Sequence, residues 1–339
     1  MRRMILGKTG IEAARMGFGG IPIQRVSETQ AVEIVLYALE KGMDFIDTSR
    51  MYTTSETRIG RALRETDRKV AIATKSFARS ADGIQRDVET SLKELQRDHI
   101  DIYQCHGISS EEEYRRVVSA NGALEGLRKA KEQGLIGHIG ITSHSLDLLD
   151  KVVDDGLFET IMVCLSFLEP AAKDKILPKA RAKNIGVIAM KPFSGGVIEA
   201  PEIALKWVLS LPDVLVIAGV EYKELIDQNW DAFQGDYAMT EAEVRTMEEI
   251  CKQFDKDFCR RCDYCQPCPS EIPIQFVLGL RSMVKRAGDG LLQSPMGKNM
   301  LEKAVNCTEC GDCMERCPYG LPIPEMIKTN LEWLKQTTD

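Results

Sequence analysis

Eight short apolar runs follow one another between Arg15 and Val220, each parted from the next by a segment of helical period. The runs are "ARMGFGG", "MDFIDTS", "VAIATKS", "IDIYQCH", "IGHIGIT", "TIMVCLSF", "IGVIAMKP" and "VLVIAGV". Between them, segments such as "SETQAVEIVLYALEKG", "SADGIQRDVETSLKELQ" and "GALEGLRKAKEQG" repeat apolar residues at three and four positions, and several stop at glycine. Eight strand–helix units in series predict an α/β fold, a closed parallel (β/α)₈ barrel. The rival is an open doubly wound sheet. That fold usually opens with Gly-x-Gly-x-x-Gly after its first strand, and "GFGGIPIQ" lacks the spacing. Ahead of the first run, "RRMILGKTGIEAARMG" reads as a β-hairpin turning at Lys8-Thr9-Gly10 and covering the bottom of the barrel.

In such a barrel the chemistry sits at the C-terminal ends of the strands. Asp47 follows "MDFI", Lys75 follows "AIAT" and His106 follows "IYQC"; Tyr52 lies five residues beyond Asp47, in a loop. Each alone has a plain reading as a cap, a rim charge, a satisfied polar group or loop packing. Together, at three successive strand ends, they make a proton donor with its tuning charges. A phenol is a poor acid at neutral pH, and a nearby ammonium eases its ionisation. Asp47 would hold Lys75 charged and oriented, and His106 would orient a substrate oxygen. Such a set protonates a carbonyl oxygen as hydride reaches carbon.

The tail carries a second signature. "FCRRCDYCQPCPSEIPI" holds Cys259, Cys262, Cys265 and Cys268, and "NCTECGDCMERCPYG" holds Cys307, Cys310, Cys313 and Cys317. The second run has the spacing of a bacterial ferredoxin loop, whose fourth cysteine ligates the other cluster. The first run is one residue shorter in its last gap. Eight thiolates suffice for two [4Fe-4S] clusters; the compressed run keeps one cluster open, and Cys₄ zinc is the competing reading. On the ferredoxin pattern, Cys259, Cys262, Cys265 and Cys317 hold one cubane, and Cys307, Cys310, Cys313 and Cys268 the other. The expected division is therefore a barrel over 1–250 and a ferredoxin-like, helical, cysteine-rich module over 251–339. "SPMGKNMLEKAVNC" would join the two runs as a helix, and "IPEMIKTNLEWLKQ" would close the module through Ile327, Leu331 and Leu334. Cys105, Cys164 and Cys251 are expected to be ordinary buried thiols.

At "FIDTSRMYTTSETRIG" the chain resembles the aldo/keto reductase family, in its branch with a ferredoxin-like C-terminal extension. The family signature is Asp-Thr-x-x-x-Tyr followed by Ser-Glu and Gly. "GHIGITSHS", "GVIAMKPFSGG" and the Trp207–Gly219 stretch match further family segments. The resemblance implies a TIM barrel with Asp47, Tyr52, Lys75 and His106 as catalytic tetrad, and NADP(H) extended across its mouth. It places the cofactor along Gly19, Gly20, Asp47, Thr142, Ser143 and Met162. It continues the site through Met190, Lys191, Pro192 and Phe193, then Gly219, Glu221, Leu225, Gln228 and Asn229. Several matches depart from the pattern. Thr142-Ser143 stands for Ser-Asn, Met162 for glutamine, and Met190 for the tyrosine that stacks on nicotinamide. The lysine and arginine that commonly receive the 2′-phosphate match Gly219 and Leu225, with Glu221 nearby and Lys223 as the available cation. NADP(H) and NAD(H) both stay open.

Charge narrows the partners. With 44 Lys and Arg against 51 Asp and Glu, the net charge is -7, which gives no concentrated basic face for nucleic acid. The N-terminal arginines lack an apolar run behind them, and no apolar stretch reaches the roughly 20 residues of a membrane span. A cytoplasmic protein without membrane or nucleic-acid partners is expected, acting on a small carbonyl or alcohol. Clusters pass one electron at a time and hydride carries two, so a redox protein partner is a second expectation. No flavin signature stands out, although the strand-7/strand-8 region of a barrel accommodates a flavin phosphate. The alternative is an electron carrier whose barrel is a scaffold or a platform for flavin or a partner.

Overall fold

The computed structural model describes residues 2–287 and 290–338. The chain divides into two compact units, Met1–Glu243 and Val244–Asp339, and the helix Glu241–Gln253 runs through the division.

The first unit opens with the expected hairpin. Strand β1 (Arg3–Ile5) pairs antiparallel with β2 (Glu12–Ala14), joined by a 3₁₀ turn Gly7–Thr9 and Gly10 at φ +72°. Eight parallel strands follow: β3 (Met16–Gly19), β4 (Phe45–Asp47), β5 (Ala71–Ser76), β6 (Ile100–Cys105), β7 (Ile136–Ser143), β8 (Thr160–Cys164), β9 (Gly186–Met190) and β10 (Val214–Gly219). They pair in chain order, and β10 returns to β3 to close the barrel. All eight apolar runs of the sequence are strands. They read as runs because parallel strands are covered on both faces, by helices outside and side chains inside.

The intervening helices are set by local chemistry. Glu28–Lys41 starts on a capping box between Ser27 and Gln30 and stops at Gly42, whose φ of +111° is open to glycine. Ala81–Leu95 and Leu146–Asp155 are capped by Ser80 and Ser145 in the same serine-to-amide manner. Their apolar faces, including Ile34, Ile84, Val88, Leu149 and Val152, join the main core between helices and barrel.

A second, smaller core fills the barrel interior: Phe45, Ala73, Ile102, Met162, Ile188, Leu215 and Ile217, with Met4 and Leu6 from the hairpin side. Lys8 N donates to Asn184 O at 2.8 Å, and a Cβ at Gly7 would lie 2.2 Å from Gly186 N. Only glycine allows the hairpin to come this close to the bottom of β9. The hairpin thus plugs the lower end of the barrel.

The second unit has its own core. Ile272, Ile274, Val277, Leu280, Leu321, Ile323 and Ile327 bury together with Cys265 and Cys313. The joining segment is the helix Pro295–Ala304, and Ile323–Thr338 closes the unit with Ile327 buried and Leu331 and Leu334 packed against the same core. Cys105 and Cys164 are buried as expected; Cys251 is only half-buried, because the helix that carries it buries no residue fully.

Truncating Leu6, fully buried in the plug, tests the floor of the barrel. Leu6→Ala is expected to cost about 2–5 kcal/mol, read as a lower urea midpoint of the barrel transition with little change of slope.

Candidate active site

The upper interior of the barrel turns polar by a simple step. Asp47, Lys75 and Gln104 each stand two residues beyond an interior apolar residue: Phe45, Ala73 and Ile102. Successive strand side chains alternate faces, so all three point inward one layer higher. All three are buried, and Lys75 and Gln104 are paired in the β5–β6 ladder.

Lys75 Nζ donates to Asp47 Oδ2 at 2.5 Å and to Thr48 O at 2.7 Å, and it shares a hydrogen bond with the Tyr52 side chain. Those three partners use its three donors. The ammonium stands 4.9 Å from the Tyr52 ring centroid. Gln104 Nε2 donates to Asp47 Oδ1 at 3.2 Å. Burial pushes the Asp47 carboxyl up, against the Lys75 charge and the bonds from Lys75 and Gln104. Burial also opposes the Lys75 charge, yet the Asp47 carboxylate and Tyr52 hold that ammonium above its ordinary value. With three acceptors around the lysine and two donors on the aspartate, the pair is charged.

Tyr52 is held by its loop. Tyr52 N donates to Ser49 O at 3.0 Å, and Arg50 N donates to Lys75 O at 3.1 Å. The Arg50 guanidinium reaches back to buried Glu56 and to Glu94, the latter at 2.7 Å, while Thr74 donates to Glu56 at 2.6 Å. The stretch between Asp47 and Glu56 is therefore tied to β5 at both ends.

His106 follows β6 and faces Tyr52, with ring centroids 6.1 Å apart and planes at 86°. Half-exposed Phe77 packs on its other side at 4.2 Å. His106 Nδ1 and Ser49 Oγ lie 3.0 Å apart, and Ser49 Oγ also meets Lys75 O at 3.1 Å. The single Ser49 proton sets the tautomer. Given to Nδ1, it leaves Nε2–H as a donor suited to a carbonyl oxygen; given to Lys75 O, it leaves Nε2 an acceptor suited to an alcohol.

The residues expected to hold a dinucleotide gather at the same end of the barrel, with differing availability. Gly19, Gly20 and Gly219 end the adjacent strands β3 and β10; Gly20 N donates to Asp47 O at 2.8 Å. Thr142 Oγ1 accepts from Gly107 N at 2.7 Å. Ser143 Oγ donates to Ile108 O at 2.6 Å and accepts from Ser145 N at 3.0 Å, so its proton is spent within the protein. Met162 is buried in the interior core, whereas Met190 is half-buried at the end of β9 and offers a thioether face. Lys191 and Phe193 are half-buried, Pro192 is buried, and Asn229 is buried while Leu225 and Gln228 are exposed. The cations near this edge are already engaged: Lys223 with Glu33 at 3.3 Å, and Arg25 with Glu221 at 2.5 Å.

Arg25, Gln104, Ser49 and Phe77 were not singled out by sequence reasoning. Gln104 was within reach through its alternation with Ile102. Arg25 meets Glu221 only because barrel closure sets β3 beside β10.

In the second unit the cysteines fall into two neighbourhoods. Cys262 feels the charges of Cys259 and Cys317, and Cys265 those of Cys259 and Cys262. Cys313 feels Cys307, Cys310 and Cys268, and a cavity is lined by Cys268, Cys307, Cys310 and Cys313 beside Ile274 and Ile327. Arg261 N donates to Cys259 Sγ at 3.4 Å. Burial pushes the Cys265 thiol up to about 12, with Asp263 and the neighbouring cysteines adding to it. Eight thiolates so placed require a multivalent cation, and this donor set fits iron–sulfur clusters. Among the described residues, no three His, Cys, Asp or Glu form a compact site for a single metal ion.

The profile of the Aldo/keto reductase family matches residues 15–201, more than half of the chain. The chain belongs to the aldo/keto reductase family. Residues 258–321 of this family member match a 4Fe-4S dicluster domain. Its relatives include L-galactose dehydrogenase from Arabidopsis thaliana, 32% identical over 57% of this chain and 66% of that protein. A probable aldo-keto reductase from Glycine max is 26% identical over 56% of this chain and 59% of that one. The chain thus spans less than two thirds of either relative. The fold of an aldo-keto reductase from Bacillus halodurans superposes with a TM-score of 0.64 at 22% identity, over 74% of this chain and 96% of that chain. The aldo/keto reductase barrel is where the inward-facing layer of Asp47, Lys75 and Gln104 is found.

His106 in this barrel is held well below its ordinary value, by burial first and then by Lys75, Arg79 and Lys191. It is expected to stay neutral through pH 6.5, where the unfolded chain would take up a proton. In that window the unfolded state binds more protons, so stability falls as the pH drops below 6.5. A nitrogen-15 NMR titration showing an imidazolium at pH 7 would refute this.

Proposed function

We propose that the protein is a nicotinamide-dependent oxidoreductase that interconverts a small carbonyl compound and its alcohol, with Tyr52 as the group that moves the proton. The observation that carries the reading is the Lys75 ammonium, gripped by Asp47 at 2.5 Å beneath the Tyr52 ring. Bound nicotinamide would supply or accept the hydride, and bound clusters would move single electrons. The chain's own part is electrostatic and positional. Tyr52 gives its phenolic proton to the substrate oxygen in reduction and takes it back in oxidation. Lys75 supports the phenolate left behind, and Asp47, with Gln104 behind it, keeps Lys75 charged and aimed. His106 orients the oxygen through Nε2.

Met190 is proposed to face the nicotinamide, and Ser143 retains one lone pair for its carboxamide. The adenosine side is proposed to run past Gly219 toward Asn229. No lysine or arginine stands at Gly219 or Leu225, and Lys223 and Arg25 have carboxylate partners. Selectivity for NADPH over NADH is expected to be tenfold or less, about 1.4 kcal/mol. Fluorescence titration with both dinucleotides checks it; several-hundredfold discrimination would mean that Arg25 or Lys223 leaves its partner for the phosphate.

The two cysteine neighbourhoods support two clusters with the crossed ligand sets, Cys317 serving the first and Cys268 the second. Cys310 is exposed, which suits electron exchange with a redox protein partner. No helix among the described residues is long and apolar enough to cross a membrane, and a cytoplasmic setting suits iron–sulfur chemistry. Anaerobically isolated protein is expected to contain roughly eight iron and eight sulfide per chain. Half of each would indicate one cluster, zinc without sulfide would remove the cluster assignment, and flavin is to be quantified on the same sample.

Replacing Tyr52 by Phe keeps the ring and removes the acid. Hydride transfer, followed by stopped-flow nicotinamide absorbance, is expected to fall by about two to four powers of ten. His106→Ala should weaken substrate binding more than dinucleotide binding. A Tyr52→Phe protein with a nearly full rate would make the electron-carrier reading the better one.

A further inference from the structure

Two residues before Tyr52 stands a charge that proton transfer itself does not use. Arg50 donates through Nη1 both to Glu56, which is buried, and to Glu94 at 2.7 Å. Glu56 belongs to the helix Ser55–Arg64, and its other oxygen accepts from Thr74 Oγ1 at 2.6 Å, next to Lys75 in β5. Glu94 lies in the last turn of the helix Ala81–Leu95. A carboxylate there faces the negative end of the helix dipole, so the helix gains nothing from it. The two helices share one guanidinium because Gly60 lets them approach: a Cβ at that position would lie 2.3 Å from Glu94 O. Burial opposes the Arg50 charge, yet its bonds to Glu94 and Glu56 hold the guanidinium above its ordinary value. Taking such charges out of water offers little net stability. Their position asks for another reason.

That position is the start of the turn that carries Tyr52. Thr48 N donates to Ala73 O at 2.8 Å and Arg50 N to Lys75 O at 3.1 Å, which continues the β4–β5 hydrogen-bond pattern past the end of β4. The chain then turns, and the Tyr52 ring centroid comes to lie 4.9 Å from Lys75 Nζ. Thr53, the next residue, has φ +38°, in the left-handed region that a β-branched residue disfavours. Strain of this kind persists only where contacts on both flanks over-determine it. On the far flank, Thr53 Oγ1 donates to Gln24 Oε1 at 2.8 Å and Ser55 N to Tyr52 O at 2.7 Å. On the near flank stands Arg50 with its two carboxylates.

We propose that Arg50, clamped between Glu56 and Glu94, is a positioning residue that fixes the Tyr52 hydroxyl over the Lys75 ammonium. The proposal rests on the reading of Tyr52 as the group that moves the proton. Arg50 acts through the backbone of the turn, and its side chain is spent on the two carboxylates. Nη1 alone makes both ion pairs, while Nε is buried without a partner. A lysine ammonium can therefore take over the clamp.

The test uses the full-length holoprotein with its clusters, its dinucleotide and 4-nitrobenzaldehyde as carbonyl probe. In Arg50→Met, single-turnover hydride transfer is expected to fall by about ten- to a hundredfold, the effect of a displacement of about 1 Å. Affinities for dinucleotide and probe should change by less than about threefold, since ground-state binding is not what the clamp serves. Arg50→Lys should recover most of the rate. In a Tyr52→Phe background, Arg50→Met should cost no more than about twofold, because a residue that acts through Tyr52 has nothing left to misplace. A folded Arg50→Met protein with full rate overturns the proposal, and so does an undiminished loss in the Tyr52→Phe background. If Arg50→Met does not fold, Glu94→Gln alters a carboxylate that is partly open to solvent. It should cost about three- to tenfold with the same dependence on Tyr52, and no loss overturns the proposal. If the probe is not reduced, tyrosine ¹³Cζ NMR reads the displacement directly. Tyr52 should ionise at higher pH in Arg50→Met, its phenolate being less well supported by Lys75; coincident titrations overturn the proposal. Failure of the reductase reading shows separately, as hydride transfer that survives Tyr52→Phe with Arg50 in place.

Discussion

The buried pair of Asp47 and Lys75 is the interaction on which the rest of the site depends. As a contribution to stability such a pair is poor, since removing two charges from water costs several kcal/mol per ion and mutual attraction does little more than return it. Its presence in the upper interior of a barrel is therefore informative about function. The pair is tolerable there because each charged group has polar partners: Thr48 O and Tyr52 around the ammonium, Gln104 on the far carboxylate oxygen. The apolar layer of Phe45, Ala73 and Ile102 lies below, and the hairpin closes the floor. What the scaffold provides is a fixed, buried positive charge beneath a phenol. On the proposed reading, that arrangement would let a weak acid act at neutral pH without reorganising anything at the moment of transfer.

The tail obeys a different physical logic. Its core is small, and two of its buried positions are cysteines, Cys265 and Cys313, each beside further cysteines of its own neighbourhood. Small modules of this kind commonly gain stability from the metal they bind. The barrel has no such requirement. Its helices, capped by serines and stopped by glycines, and its two apolar cores are complete within residues 1–243.

Most of the architecture was legible in the sequence because it is written in periods. Eight doubly covered parallel strands leave eight apolar runs, and the cysteine spacing is dictated by cluster geometry. The four residues proposed for proton transfer could be picked out because strand ends are predictable positions in a barrel. What escaped depends on closure. Arg25 and Glu221 lie far apart in the chain and meet only where β3 and β10 pair; Arg79 reaches His106 through a loop whose path no periodicity encodes. Ser143 shows a subtler limit. Its identity suggested a cofactor contact, while its proton is already committed to Ile108 O. Cys251 looked buried from its neighbours in sequence, yet its helix buries no face fully.

The central claim is that the Lys75 charge makes Tyr52 a competent acid. The most direct measurement is the pH dependence of single-turnover hydride transfer in the reductive direction, for the wild-type protein and Lys75→Met. With Tyr52 as the acid, the rate falls at high pH as the phenol ionises. Without the ammonium that fall is expected to move upward by at least about one pH unit, some 1.4 kcal/mol, while the plateau drops. Superimposable profiles for the two proteins would contradict the account.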